Sequence, residues 1–287
     1  MFGGSAHTHV NELLNGLAAA SKPLVVSHGG VAVGTFPPNT SAAVRLALQS
    51  GADVVKIDVS ASSDNILYAF HDGFEAERLG VDRNIQGLAA ADIAQLTYQW
   101  CDRPGRRAHV ERLAPLLAEF RGKPVMFALD RSWWRWPTLL RVLDGLQMSD
   151  QILLKVPSWE FAAIDALRQH RTQYPVLAIC STPEEVNGLP LHDRGVNMVG
   201  VELIAHDTES PWFDRAALDG IHRQDLLVWI NSETLTTGIP LFGGFDDERV
   251  VMQSPTAAWS LLLDLGVDAV QTELPWLLRE LRDVRRA

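Results

Sequence analysis

His28 and His71 each follow a short apolar run, Leu24–Ser27 and Ile66–Phe70. An imidazole titrates at about 6.5, so both protonation states are present at neutral pH and a pair can act as acid and base. Other chemistry-bearing side chains stand at the ends of comparable runs: Asp58, Asp130, Lys155, Glu202, Asn231 and, just past the last run, Glu273. Two histidines, several carboxylates and a lysine gathered on one rim would suit proton transfer to and from a bound substrate. Taken singly, each is equally readable as a structural rim residue in a hydrogen-bond network. The choice rests on whether one fold brings the ends of these runs together.

The runs are Leu24–Ser27, Asp53–Val59, Ile66–Phe70, Val125–Asp130, Ile152–Lys155, Val176–Ile179, Met198–Glu202, Leu226–Ile230 and Ala269–Gln271. They are rich in Val, Ile and Leu and mostly do not alternate, as parallel strands covered on both faces do. Between them lie segments with helical apolar spacing: Ala42–Ser50, Val110–Arg121, Trp136–Gln147, Phe161–Thr172, Ala257–Leu265 and Trp276–Val284. The connection Ser60–Asn65 is short and polar, whereas a parallel crossover needs about a dozen residues, so Ile66–Phe70 is predicted to fold back as a hairpin. Removing it leaves eight strands, most followed by a helix. That is the arithmetic of an α/β fold of the (β/α)8 TIM-barrel type, whose functional groups lie at the C-terminal ends of its strands. The expected organisation is an N-terminal extension over 1–22 and one barrel domain over 23–287, with 72–108 inserted after the second strand.

The 287-residue chain is 47% hydrophobic and 21% charged, which excludes disordered, collagen-like and coiled-coil proteins. With 35 acidic against 25 basic side chains its net charge is −10, and it offers no electrostatic footprint for nucleic acid. Positive charge for an anionic substrate would therefore have to be local. Cys101 and Cys180 lie far apart without metal-ligand spacing, which argues against a disulfide framework and for a reducing compartment. Met1–Lys22 carries no basic stretch followed by an apolar one, and Leu17–Ala20 is too short for a signal peptide or membrane span. The expectation is a cytoplasmic protein; nothing fixes its oligomeric state. His7 and His9 form a His-x-His pair in a stretch read as mobile, and His206 falls in a loop with no evident partner.

Several motifs occur in one order: Ser27-His28-Gly29-Gly30, Pro38-Asn39-Thr40, Gly51-Ala52-Asp53 leading to Lys56-Ile57-Asp58-Val59, and Ala69-Phe70-His71-Asp72. They continue through Glu77-Arg78-Leu79, Leu113-Ala114-Pro115-Leu116-Leu117, Phe127-Ala128-Leu129-Asp130-Arg131 and Leu227-Val228-Trp229-Ile230-Asn231. Gly266-Val267-Asp268 and Gln271-Thr272-Glu273-Leu274-Pro275 close the series. This order resembles the glycerophosphodiester phosphodiesterase family over nearly the whole chain after residue 22. That family carries His-Arg-Gly, Glu-Asn-Thr, Glu-x-Asp-Val and His-Asp in the same sequence.

The resemblance implies a phosphoric diester hydrolase of glycerol and lipid metabolism, in which His28 and His71 act as general acid and base and Asp72 can orient the His71 ring. It also implies magnesium or calcium held by a Glu-x-Asp pair and a later carboxylate, since hard cations take oxygen ligands. Asp58 matches one ligand and Asp130 is the candidate for another. Lys56 replaces the first, and an ammonium cannot ligate a cation, so the expectation is an ion pair with Asp58 and Asp130 and no metal. A neighbour such as Glu202 or Glu273 restoring a weaker metal site is the alternative. The family's Arg is Gly29 and its first Glu is Pro38, which removes a phosphate-gripping fork together with its orienting carboxylate. Lys56, Arg131 and Lys155 could compensate; with Trp229, Asn231 and Glu273 they form the expected substrate-binding set. Gly243-Gly244-Phe245-Asp246-Asp247-Glu248 reads either as a solvated acidic loop or as a lid or rim contact to the leaving group. Of the nine tryptophans, including Trp133, Trp134 and Trp136, one or two on the rim could stack on a sugar or polyol. The leading expectation is hydrolysis of a small polyol or sugar phosphodiester. A glycoside-cleaving barrel using two of the carboxylates, and a non-catalytic polyol-phosphate binder, are the alternatives.

Overall fold

A computed structural model describes residues 1–99, 107–191 and 193–286; Cys101 lies outside the described residues. Eight parallel strands close into a barrel: β1 (Leu24–His28), β2 (Val54–Ala61), β5 (Met126–Asp130), β6 (Ile152–Pro157), β7 (Val176–Cys180), β8 (Met198–Leu203), β9 (Leu227–Asn231) and β10 (Ala269–Thr272). Closure comes from β1 pairing with both β2 and β10. Two short strands, β3 (Leu67–Ala69) and β4 (Glu111–Arg112), add an antiparallel flap to β2. The predicted strands are all present, with ends shifted by one or two residues.

Strand side chains alternate between the barrel's inside and outside, and this period of two explains the sequence. Outward-facing Val25, Val55, Ile57, Phe127, Leu129, Leu154, Val228 and Ile230 form one core with the surrounding helices. Inward-facing Leu24 and Val26, Val54, Met126 and Ala128, Leu153, Leu177, Leu227 and Trp229, and Ala269 form a second, apolar core low in the barrel. The same inward faces then turn polar two residues later: His28 follows Val26, Asp130 follows Ala128, Lys155 follows Leu153, and Asn231 follows Trp229. Each inward stripe thus stacks apolar floor beneath polar rim.

The N-terminal stretch read as mobile is packed. Leu14, on a helix over Glu12–Ala20, is buried against the inner core, with Leu13 and Leu17 beside it. Asn11 and Asn197 exchange amide hydrogen bonds of 2.9 and 2.8 Å and tie the segment to the loop entering β8. It closes the floor of the barrel because an open inner core would otherwise meet water. The predicted helix over Val110–Arg121 begins only at Leu113, since Glu111 and Arg112 pair with β3 instead. The Glu111 carboxylate accepts from both N and Oγ of Ser41, each at 3.1 Å, pinning the flap to the first barrel helix. The region after the hairpin builds its own small core from Tyr68, Phe70, Leu79, Ile85, Ile93 and Tyr98. No helix among the described residues is long and apolar enough to cross a membrane.

Candidate active site

Strand register assembles the site. His28 is the register partner of Lys56 across β1 and β2, and Asp58 faces Asp130 across β2 and β5. The hairpin returns the chain so that Phe70 N donates to Asp58 O at 3.0 Å, which brings His71 back to Asp58. The two histidines, 43 positions apart in sequence, therefore flank one carboxylate.

Lys56 is buried among these groups. Its Nζ lies 2.5 Å from Asp58 Oδ1, 3.6 Å from Asp130 Oδ2 and 3.3 Å from His28 Nε2. Asn39, in the left-handed region at φ 59°, donates from Nδ2 to Asp58 Oδ2 at 3.1 Å and accepts from Asp58 N at 3.0 Å. Burial pushes the Asp58 carboxyl up, but Lys56, His71 and His28 outweigh it and hold it well below the usual carboxylate range. Asp130 is lowered to about 2, burial being overcome by Lys155 and then Lys56.

Lys155 bridges the far wall, with Nζ 2.7 Å from both Asp130 Oδ2 and Glu202 Oε2. Burial alone would lower its pKa; Asp130 and Glu202 reverse that and raise it. Asn231 Nδ2 donates to Glu202 Oε1 at 2.5 Å. Trp229 was expected to bind substrate, but it is 1% exposed and sits one layer below the rim. Lys155 Nζ lies 5.7 Å from its ring centroid and Trp229 Nε1 donates to Asn231 Oδ1 at 3.4 Å, so it supports these two rather than meeting a ligand.

His71 is held by one ring nitrogen, whereas His28 is met at both. His71 Nδ1 lies 2.8 Å from the Asp72 main-chain carbonyl oxygen, and a carbonyl only accepts, so Nδ1 carries the hydrogen and Nε2 the lone pair. Asp72 therefore orients the ring, but not through its carboxylate, which takes Arg131 Nε at 3.1 Å and Gln86 Nε2 at 2.9 Å. Phe74 stands edge-on to the imidazole at 4.7 Å, and Arg78 lies over Phe74 at 4.4 Å. The segment between β3 and β4 thus supplies the packing that fixes His71. Burial, with Lys56 and Arg131, lowers the His71 pKa despite Asp58.

His28 Nδ1 lies 3.1 Å from Glu233 Oε1 and 3.7 Å from Glu273 Oε1. Burial and Lys56 push its pKa down, but Glu233, Glu273 and Asp58 together raise it. Glu233 was not among the sequence candidates; the signal was available, because it continues the inward stripe of β9 two residues past Asn231. Gln271 Nε2 holds the same Glu233 oxygen at 2.9 Å.

The loop Gly243–Glu248 is not simply solvated, because two of its acidic residues are engaged. Asp246 caps the helix Asp247–Met252 by accepting from Arg249 N at 2.9 Å. Asp247 accepts from Thr272 Oγ1 at 2.7 Å and Glu273 N at 2.6 Å, which fixes the backbone that presents Glu273 to His28. Burial raises Asp247 to about 7 despite these donors. Trp134 and Trp159 are exposed, whereas Trp136 is fully buried. His7 and His9 lie at the opposite, floor end, and His206 Nδ1 bonds Pro240 O at 2.9 Å in the loop after β8.

Gly29 and Pro38 meet in space. Gly29 has φ +66°, and a Cβ there would lie 3.1 Å from Pro38 Cβ. The two departures from the motif pattern occupy one volume.

The Glycerophosphoryl diester phosphodiesterase family profile matches residues 32–275. A 64-residue stretch is 39% identical to glycerophosphodiester phosphodiesterase GDPD4 of Arabidopsis thaliana, covering 22% of this chain and 19% of that protein. The match thus spans about a fifth of that relative's length. A glycerophosphoryl diester phosphodiesterase from Parabacteroides distasonis superposes with TM-score 0.72 at 15% identity, covering 95% of this chain and 92% of that one. An Oleispira antarctica phosphodiesterase, solved with the product sn-glycerol-3-phosphate, superposes with TM-score 0.68 at 19% identity over 94% and 99% of the two chains. These neighbours share the barrel.

Proposed function

This chain belongs to the glycerophosphoryl diester phosphodiesterase family, and we propose that it hydrolyses a small polyol phosphodiester with His71 as general base and His28 as general acid. The observation that carries this reading is the opposite bias of the two imidazoles. His71 gives its Nδ1 hydrogen to a carbonyl and is pushed toward the neutral form, which leaves Nε2 free to take a proton. His28 is backed by Glu233 and Glu273 and pushed toward the imidazolium, which can give one. Two titratable groups driven apart in this way make an acid/base pair at neutral pH.

The proposed reaction begins when His71 Nε2 takes a proton from the nucleophile, a water or a vicinal hydroxyl of the substrate. The nucleophile's oxygen bonds to phosphorus, the bond from phosphorus to the leaving alkoxide breaks, and His28 protonates that alkoxide. Attack by a vicinal hydroxyl gives a cyclic phosphate first, which water then opens with the histidine roles reversed. The sn-glycerol-3-phosphate in the Oleispira antarctica protein supports a glycerol phosphodiester as the substrate class.

The glycoside reading needs two uncommitted carboxylates across an open cleft. Here Asp58 is paired with Lys56, Asp130 and Glu202 with Lys155, and Glu233 and Glu273 with His28. The phosphodiester reading uses these pairings; the glycoside reading must break them. Turnover of glycerophosphodiesters and of bis(p-nitrophenyl) phosphate tests the proposal. Wild type should hydrolyse at least one, and His28→Ala and His71→Ala should each slow it about 10²–10⁴-fold. Saturable binding of sn-glycerol 3-phosphate without turnover of any diester would overturn it in favour of a non-catalytic binder, as would turnover indifferent to both substitutions.

A further inference from the structure

The divalent cation implied by the resemblance does not fit these residues. A hard cation needs several oxygen ligands around one point, and the carboxylates of Asp58, Asp130 and Glu202 are already paired. Asp58 gives Oδ1 to Lys56 and Oδ2 to Asn39. Asp130 gives Oδ2 to Lys155 and Oδ1 to Arg131 N. Glu202 sets Oε2 2.7 Å from the Lys155 ammonium as an ion pair and gives Oε1 to Asn231. Among the described residues no three His, Cys, Asp or Glu side chains converge to hold a metal ion. Lys56 Nζ itself lies between the Asp58 and Asp130 carboxylates, at 2.5 and 3.6 Å. A divalent ion entering there would stand beside an ammonium group.

We infer that Lys56 is the fixed cation of this site, holding a phosphate oxygen of the substrate beside His28 in place of a bound divalent metal. The inference deepens the proposed function and rests on it for the identity of the anion. The geometry suits the role: Lys56 Nζ lies 3.3 Å from His28 Nε2, so an oxygen bound to the ammonium is delivered to the proposed acid. An ammonium has three donors; Asp58 takes one and His28 Nε2 lies within reach of a second, which leaves the third to turn toward an anion. Strand β2 fixes its position, and the side chain is buried.

Calorimetric titration of the full chain with magnesium chloride and with calcium chloride tests this without using substrate. Wild type should show no saturable binding at millimolar cation, and Lys56→Glu, which supplies a carboxylate beside Asp58 and Asp130, should bind about one equivalent. One equivalent bound by wild type and lost in Asp58→Asn would overturn the inference, and so would a folded Lys56→Glu that gains nothing. If Lys56→Glu does not fold, Lys56→Gln decides: it should weaken inorganic phosphate binding at least about tenfold, or about 1.4 kcal/mol. Unchanged phosphate affinity would refute the role. Failure of wild type to cleave any diester would sink the proposed reaction yet leave the cation titration readable.

Discussion

Lys155→Met removes a buried cation and leaves the packing nearly intact, so its effect measures electrostatics. Lys155 is 1% exposed and contacts Asp130 Oδ2 and Glu202 Oε2 at 2.7 Å each. Those two oxygens can therefore be no more than about 5.4 Å apart, and at an effective dielectric of about 20 two unit charges at that distance repel by about 3 kcal/mol. In wild type the ammonium cancels this repulsion. In the variant the carboxylates face one another with no cation between them, and breaking such a pair from one side costs about 3–5 kcal/mol. That corresponds to a fall in Tm of roughly 10 °C for a chain of this size.

The pH dependence gives the sign. Asp130 has its pKa lowered in the fold to about 2, principally against burial by Lys155. A depressed carboxylate contributes stability that is present above its unfolded pKa of about 3.9 and lost as pH falls through the folded value. Lys155→Met removes the leading cause of that depression, so most of this contribution is lost at neutral pH, and protonation on acidification relieves the opposed charges. The gap between wild type and variant should be widest at pH 7 and close on acidification below about pH 5. Urea unfolding of both proteins across this range reads it directly. Adding Glu202→Gln to Lys155→Met should recover at least about 2 kcal/mol, because one of the opposed charges is gone. A deficit under about 1 kcal/mol at pH 7, or one that widens toward pH 4, would refute the reasoning.

Glu233→Gln removes the leading carboxylate that raises the His28 pKa, so the alkaline limb of a kcat/KM profile, where His28 loses its proton, should move to lower pH. The acid limb set by His71 should stay in place; an unmoved alkaline limb would show that Glu233 does not govern His28. Leu14→Ala should destabilise the fold by about 2–5 kcal/mol through the cavity left at the barrel floor, with kcat unchanged. A loss below about 1 kcal/mol in chemical denaturation would mean that the N-terminal helix is not part of the cooperative unit.

Much of the rim was legible because side chains on most barrel strands alternate between inside and outside. His28, Asp58, Asp130, Lys155 and Asn231 each follow an apolar inward residue at i−2 or i−4, and the strand ends could be counted from the sequence. The hairpin was legible because the Ser60–Asn65 connection is too short for a parallel crossover. What escaped was set by contacts between distant segments. Glu111 and Arg112 carry no local sign that they will pair with Leu67–Ala69 rather than start the following helix. Leu14 sits in a weakly patterned stretch whose burial depends on an inner core that only the closed barrel creates. Trp229 lies on the correct strand and face, but one step along the strand separates a rim position from the layer beneath it. The main-chain hold on His71 could not be read from side-chain identities, because the accepting atom is the Asp72 carbonyl, which every residue carries.

The departures at Gly29, Pro38 and Lys56 belong together physically. Gly29 N donates to Lys56 O at 3.0 Å and Gly29 O accepts from Asn39 N at 2.7 Å, so the loop after β1 is laced to β2 at the residue that changed. A side chain at Gly29 would start from a left-handed backbone and grow into Pro38, 3.1 Å away at Cβ. The family motif places a cation on that loop and a carboxylate at 38 to steer it. Here the loop is closed by a proline, and the positive charge stands on strand β2. A lysine there needs no loop carboxylate to aim it, because Asp58 is already two residues along the same inward face. On the inference that Lys56 holds the phosphate, moving the charge from loop to strand would make the arginine and its glutamate dispensable in one step, and it would place an ammonium where a divalent ion would otherwise compete for the same carboxylates. On this reading the three substitutions are one rearrangement of charge around His28, and the presence of both histidines beside it follows, since the proton transfers proposed for them do not depend on which cation holds the phosphate.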